Sequence, residues 1–439
     1  MKPLKLDRVR FSNRRDVVKS NSGIFNPTGS QVKTLKGGDE IIGNQSINSD
    51  FGLGLFANVA AINAGAIGAA DISAKATVNT DGIENKGSIA TNEGKDLVRG
   101  SARAQISAQA NAVSNAIAYA NKLNTGAIAE TFANINVDAI ANGINNTGNI
   151  GTGKDGDSVD GKLVGSVTAV ATAKANAIAF VQAIAKARVN RSLIAFADAI
   201  AESLADATIT ATAIKNVGGR IDTKNGPDTI NATATSDSNT LAETSTATRS
   251  ASSPRNQALA TAVAVAIAEA EDTAIAIDNT RGFIAMGNGK DTLKANANGE
   301  SKGIAIQNSR GTIKTGRKGD IIEAYATGIE SYGIFGGTID TGNGADRVKA
   351  SSFGGGVNIR MGNGDDFVEG FGDAKLYGGD DFDILSFGSS SFEDFRISLG
   401  GSSNQLNFEQ NGITMNTAGF EQFNFNNGSF SYDQLVAKL

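Results

Sequence analysis

Between residues 168 and 214, alanine fills 17 of 23 odd positions and none of 24 even ones. Alanine is the best helix former, yet a helix turns about 100° per residue and puts i and i+2 on nearly opposite sides. No helical face produces that split. A strand, whose side chains alternate sides at every residue, produces it directly. The same alternation runs on even positions from Ala102 to Ala120 and from Ala258 to Ala276, where 9 of 10 even positions are alanine. A single straight strand of 45 residues would be roughly 150 Å long. The run must therefore turn corners through loops that preserve parity.

The buried face follows from a second pattern. A unit recurs nine times, starting at Val32, Ile89, Ile150, Ile221, Ile284, Ile313, Ile339, Ile359 and Leu376. It has an apolar residue at the start, often Thr or Met at +2, usually Gly at +5, Asp at +7 and an apolar residue at +9, as in IAMGNGKDTL and IDTGNGADRV. The Asp column is Asp39, Asp96, Asp157, Asp228, Asp291, Asp320, Asp346, Asp366 and Asp383. The +9 residue shares parity with the alanines that follow: Val98 with Ala102, Ile230 with Ala232, Leu293 with Ala295. If the +9 residue points inward, so do the alanines, and the core is a thin layer of small side chains between close sheets.

The opposite face carries Lys174, Gln182, Lys186, Arg188, Asp198, Glu202 and Asp206, as a solvated face should. It also carries Ile178, Phe180, Ile184, Ile194, Phe196, Ile200 and Leu204. That is more large apolar surface than a soluble monomer normally exposes. The expectation is a cover, either another layer of this chain or another copy of it.

Repeats at fixed offset imply a solenoid. The unit starts are 57, 61, 71, 63, 29, 26, 20 and 17 residues apart. The last four intervals suit single coils of two or three short strands. The first four require longer strands, two coils per unit or inserted hairpins. Just upstream of many units lies a second tag, IENKG, INNTG, IKNVG, IDNTRG or IQNSRG. The fold expectation is an all-β, elongated parallel β-solenoid, of β-helix or β-roll type, with an Ala-rich core. Its divisions are a basic arm at 1–31, an Ala-rich solenoid of long units at 32–283, a roll of short units at 284–387 and a C-terminal cap at 388–439.

The turns MGNGKD, TGNGAD and MGNGDD resemble the nonapeptide of RTX, or haemolysin-type calcium-binding, proteins, over about 100 residues from 284 onward. The resemblance implies calcium held between stacked turns. Asp291, Asp346 and Asp366 would be ligands, and Gly287, Gly289, Gly342, Gly344, Gly362 and Gly364 would shape the turn. Asp320 and Asp383 match less well, because Lys318 and Asp381 replace the second turn glycine. The physics points the same way. Carboxylates stacked one strand spacing apart, ~4.8 Å, repel by roughly 1–3.5 kcal/mol, and Ca²⁺ takes oxygen ligands of this kind. The competing expectation is an Asx-type bond that closes each turn without metal. It applies to the degenerate copies between 32 and 230.

Phe392, Phe395, Phe408, Phe420, Phe423, Phe425 and Phe430 crowd the C-terminal segment. A solenoid needs such a cap over its last exposed edge and core. The string GFEQFNFNNGSFSYDQL also resembles the closing segment of RTX-type proteins. That likeness implies type I export to the exterior and fits a chain start, MKPLKLDRVRFSNRRDVVKSN, that holds no apolar leader segment.

Composition narrows function. With no Cys and no His, thiol chemistry and the commonest general base are excluded. A net charge of −5 does not favour nucleic acid, and no apolar run approaches a membrane span. The expectation is a non-enzymatic, secreted structural or matrix protein, stiffened by calcium, that associates with itself and contacts cell-surface polysaccharide. An adhesive or glycan-binding module, or a β-helical polysaccharide-modifying enzyme, is the alternative.

Overall fold

The computed structural model describes residues 2–62, 65–120, 125–181, 194–252, 257–402 and 404–439. The chain winds as a parallel β-solenoid whose coils stack in register in two facing sheets. In each long coil an outbound arm lies in one sheet and a return arm in the other. The second coil shows the plan: Leu97–Ala120 outward, Thr125–Asn146 back, then the short strand Asn149–Gly151 before the next turn. Its outbound arm pairs in parallel with Glu40–Ile62 on one side and Ser158–Val181 on the other, with no bulge. The return arms Ala66–Asn85, Thr125–Asn146, Ile194–Lys215 and Gln257–Asp278 pair likewise. Each arm of 20–24 residues reaches roughly 65–80 Å. Longer strands thus account for the first four intervals, one coil per unit, and the continuous alanine run is two arms rather than one.

Among the described residues four coils carry long arms. The next outbound strand, Thr292–Asn298, pairs with the first seven residues of Thr229–Ser252, and Lys302–Gln307 pairs with the base of the return arm. A trunk of short strands therefore runs the length of the molecule, with a four-layer wing projecting from one side. The trunk core extends from Leu6 through Ile144, Ile284 and Ile359 to Leu435. The wing core is mainly alanine, with Ala110, Ala171, Ala173 and Ala205 fully buried beside a few larger residues such as Ile106, Ile135 and Ile209. The division between long and short units is therefore lateral as much as sequential: the wing ends near 278 while the trunk continues through Phe283–Ala285 without a break.

Two details differ from the sequence expectation. Residues 1–31 are not a free arm. Val17–Ser20 and Ile24–Asn26 pair with the first long coil, Leu6 is fully buried, and a degenerate unit (Val9, Asp16, Val18) adds a coil at this end. Nor does a second layer cover the apolar stripe: among the described residues no strand packs over that face. Ile178 is exposed and Phe196, Ile200 and Leu204 are half-buried, while Ile184 lies outside the described residues. At the far end three antiparallel strands, Arg396–Leu399, Gln405–Gln410 and Ile413–Ala418, close the trunk. Phe408, Phe423 and Phe425 pack there with Phe387, whose ring stacks on Phe425 at 4.7 Å.

The alanine core is a steric condition for close sheets. Ala199 and Ala262 occupy one column in adjacent return arms, the first 1% exposed and the second exposed at the wing edge. Ala199→Leu should cost about 1–3 kcal/mol by overpacking, whereas Ala262→Leu should change the stability of the single chain by no more than about 0.5 kcal/mol. Urea denaturation of the two variants checks this, and equal losses would contradict the packing.

Candidate functional site

The nine Asp residues of the repeat line up along one edge of the trunk, each 0–2% exposed. Parity sets their direction: Asp at +7 is two residues from the inward +9 anchor, so its carboxyl enters the coil. There Oδ1 accepts the backbone N–H of the Asp one coil earlier. The chain of bonds runs from Asp16 N–H to Asp39, then Asp96, Asp157 and Asp228, at 2.7–2.8 Å. It continues through Asp291, Asp320, Asp346, Asp366 and Asp383 at 2.7–3.0 Å. Glu421 closes it by accepting the Asp383 N–H at 2.8 Å. The Asx-type bond expected within each turn is thus a bond between turns, and long and short units share it. Asp16 was legible as a tenth unit. Glu421 was not, because it comes from the cap and breaks the spacing.

A parallel column uses the second sequence tag. Asn26, Asn85, Asn146, Asn216, Asn279 and Asn308 are fully buried. Each Nδ2 donates to Oδ1 of the next at 2.7–2.8 Å. An amide carries donor and acceptor together, so the column is self-satisfying at any length. It stops where Gly336 succeeds Asn308.

The turn glycines answer to the same stacking. Gly342 has φ +97°, and a Cβ there would lie 2.0 Å from the Gly316 carbonyl oxygen of the previous coil. Gly287 and Gly362 stand in the same column. A Cβ on Gly289 would fall 2.7 Å from Asp291 Oδ1, inside the carboxyl's own space. Gly344 and Gly364 hold the equivalent place with φ +141° and +121°. Lys318 and Asp381, which interrupt that position, keep the left-handed backbone at φ +79° and +82°. There an L-residue costs roughly 1–2 kcal/mol.

The other carboxyl oxygen defines the chemistry. Oδ2 of every one of the nine aspartates is buried without a hydrogen-bond partner. Desolvation, reinforced by neighbouring carboxylates, pushes Asp228, Asp291, Asp346, Asp366 and Asp383 up to about 7. Asp96 and Asp320 rise to about 6 for the same leading reason. The backbone N–H on Oδ1 lowers these values but does not outweigh burial. Each coil therefore offers one unpartnered oxygen that a proton or a cation would satisfy. Among the described residues no three acidic side chains converge on one point. A calcium ion at Asp291, Asp320, Asp346, Asp366 or Asp383 would have Oδ2 atoms of adjacent coils as its carboxylate ligands. It would need turn carbonyls or water to approach the 6–8 oxygens it prefers.

Compared with protein-family models and with curated proteins, the chain matches none.

These carboxyls set a direction for stability against pH. Asp96, Asp157, Asp228, Asp291, Asp320, Asp346, Asp366 and Asp383 are raised above the ordinary 3.8, so between about 4 and 7 the folded state binds more protons than the unfolded chain. Stability is then greatest below the ordinary value and is lost as pH rises through the folded values. In calcium-free buffer the melting temperature should fall between pH 5 and 8. Asp346→Asn, which keeps an Oδ1 acceptor without a charge, should flatten that slope and match the parent at pH 5. A parent melting temperature that rises across the interval would refute a protonated ladder.

Proposed function

We propose that the protein is a non-catalytic structural element of an extracellular layer or matrix that builds its assembly from copies of itself. The observation that carries this reading is the wing, whose first and last layers each present an unpaired strand edge in both sheets. Glu40–Ile62 has a described neighbour on its outer edge only at residues 40–45, and Thr229–Ser252 only at residues 229–235. Long, flat, unpaired edges template further strands, and a molecule bearing one at each end of its wing suits assembly. The trunk supplies stiffness, since each coil is tied to the next by backbone pairing, an Asp bond and, in its first half, an Asn bond. The aspartates that could be taken for catalytic carboxyls are spent inside the ladder, away from any substrate.

Calcium belongs to this proposal as the exterior's means of satisfying Oδ2 in the turns from 284 to 385, replacing the proton as pH rises. The RTX-like turns and closing segment support secretion. An adhesive role has one observation in its favour. On the outer face of the wing Asn58, Asn115 and Asn176 form a hydrogen-bonded file at 2.6 and 2.8 Å, a flat amide array of the sort that sugars and other polar polymers bind.

Sedimentation and negative-stain microscopy over a concentration series should reveal oligomers or extended arrays, and monomer at every concentration would defeat the assembly reading. Separately, millimolar calcium at pH 8 should raise the melting temperature, with reversal by chelator. No response at that pH would remove calcium while leaving assembly standing.

A further inference from the structure

The wing ends abruptly at its fourth layer. Thr292–Asn298 covers Thr229–Thr235 and Lys302–Gln307 covers the return arm only from Thr273, so 236–252 and 257–272 have no described partner on their outer edges. The inward-facing alanines from Ala260 to Ala270 are exposed there, although their columnar neighbours in the previous layer are buried. On the outer face Leu259, Val263, Val265 and Ile267 are 42–60% exposed.

We infer that this edge is the contact for a second copy of the chain, which pairs with it antiparallel about a two-fold axis at Thr246. The inference rests on the self-association proposed above and names its surface. Three features select this occupant and orientation. First, a copy stacked head to tail would set its first long coil where the trunk coil of Thr292–Asn298 already sits, so in-register continuation is blocked at the base. A two-fold perpendicular to the sheets sends the partner's trunk past the wing tip and leaves 240–252 free to pair.

Second, the charges match. Glu243 and Arg249 are exposed and share parity with the outer face. With the axis on Thr246, Glu243 faces the partner's Arg249, and by symmetry the pair occurs twice. Opposite charges directly across an antiparallel pair are favourable and like charges unfavourable.

Third, the return arm agrees with the same axis. In the second coil Ser114 and Thr131 meet across the two sheets at 2.6 Å. The stacking register carries Ser114 through Ala175 to Thr246, and Thr131 through Ala201 to Ala264. An axis through Thr246 therefore crosses the return arm at Ala264. It sets Val263 against the partner's Val265 and Thr261 against the partner's Ile267. Both open edges gain strand partners in one step, and an isologous contact of this kind closes on itself as a dimer.

The chain has no cysteine, so one introduced thiol reports the axis cleanly. Thr246→Cys should form a covalent dimer under mild oxidation. Glu243→Arg and Arg249→Glu should each weaken dimerisation by about tenfold or more, and the double reversal should restore it to within about threefold, from two cross-strand pairs per dimer. Circular dichroism of each variant verifies that the fold is kept. If wild type assembles but Thr246→Cys does not cross-link, or cross-links instead to Ala57→Cys in a mixture, the two-fold edge is wrong while self-association survives. If wild type stays monomeric throughout, both readings fall.

Discussion

The hydrogen bond from one aspartate's N–H to the next aspartate's carboxyl is the interaction on which the molecule's regularity depends. It requires each turn to lie one strand spacing above the last and in the same register, which fixes where the outbound strand begins in every coil. Because that start is fixed, outbound arms of 23–24 residues stack without a bulge, and because they stack without a bulge, alanine lies over alanine through the middle layers of the wing. The turn glycines follow from the same condition, since neighbouring coils approach too closely there for a Cβ.

The two ladders solve one problem with different chemistry. A coil's corners leave backbone groups that the sheets do not pair, and an unpaired buried group costs roughly 1–3 kcal/mol. Asparagine solves its corner completely, with donor and acceptor on one side chain. Aspartate leaves an oxygen over, and burial converts that surplus into sensitivity to protons or cations. A protein of this shape can thus be inert along one edge and responsive along the other.

The wing has the opposite character from the trunk. Its core contributes little apolar area per residue, because methyl groups bury little surface, so its stability comes from long uninterrupted backbone pairing and from close sheet contact. Such a layer gains most from another strand on its edge. The trunk is finished at its far end by phenylalanines and antiparallel strands, whereas the wing ends in open edges. That contrast between a capped trunk and an uncapped wing is the strongest structural argument for association.

Much of this was legible in residues 168–214 and in the Asp spacing alone. Alternation excluded helix, parity told which face is buried, and the constant +7 offset placed the carboxyls on a common edge, because periodicity is a local property that strand geometry maps directly onto space. The sequence could also have revealed Asp16, whose Val9 and Val18 flank it at the unit's offsets. It could not reveal that Oδ1 bonds to the previous coil, that Glu421 closes the column, or that the wing and trunk divide side by side. Those depend on which residues, 17 to 71 positions apart, become neighbours, and only stacking decides that. The open edge at 236–252 is likewise a tertiary outcome: Glu243 and Arg249 read as ordinary surface charges until the short fifth coil leaves them uncovered.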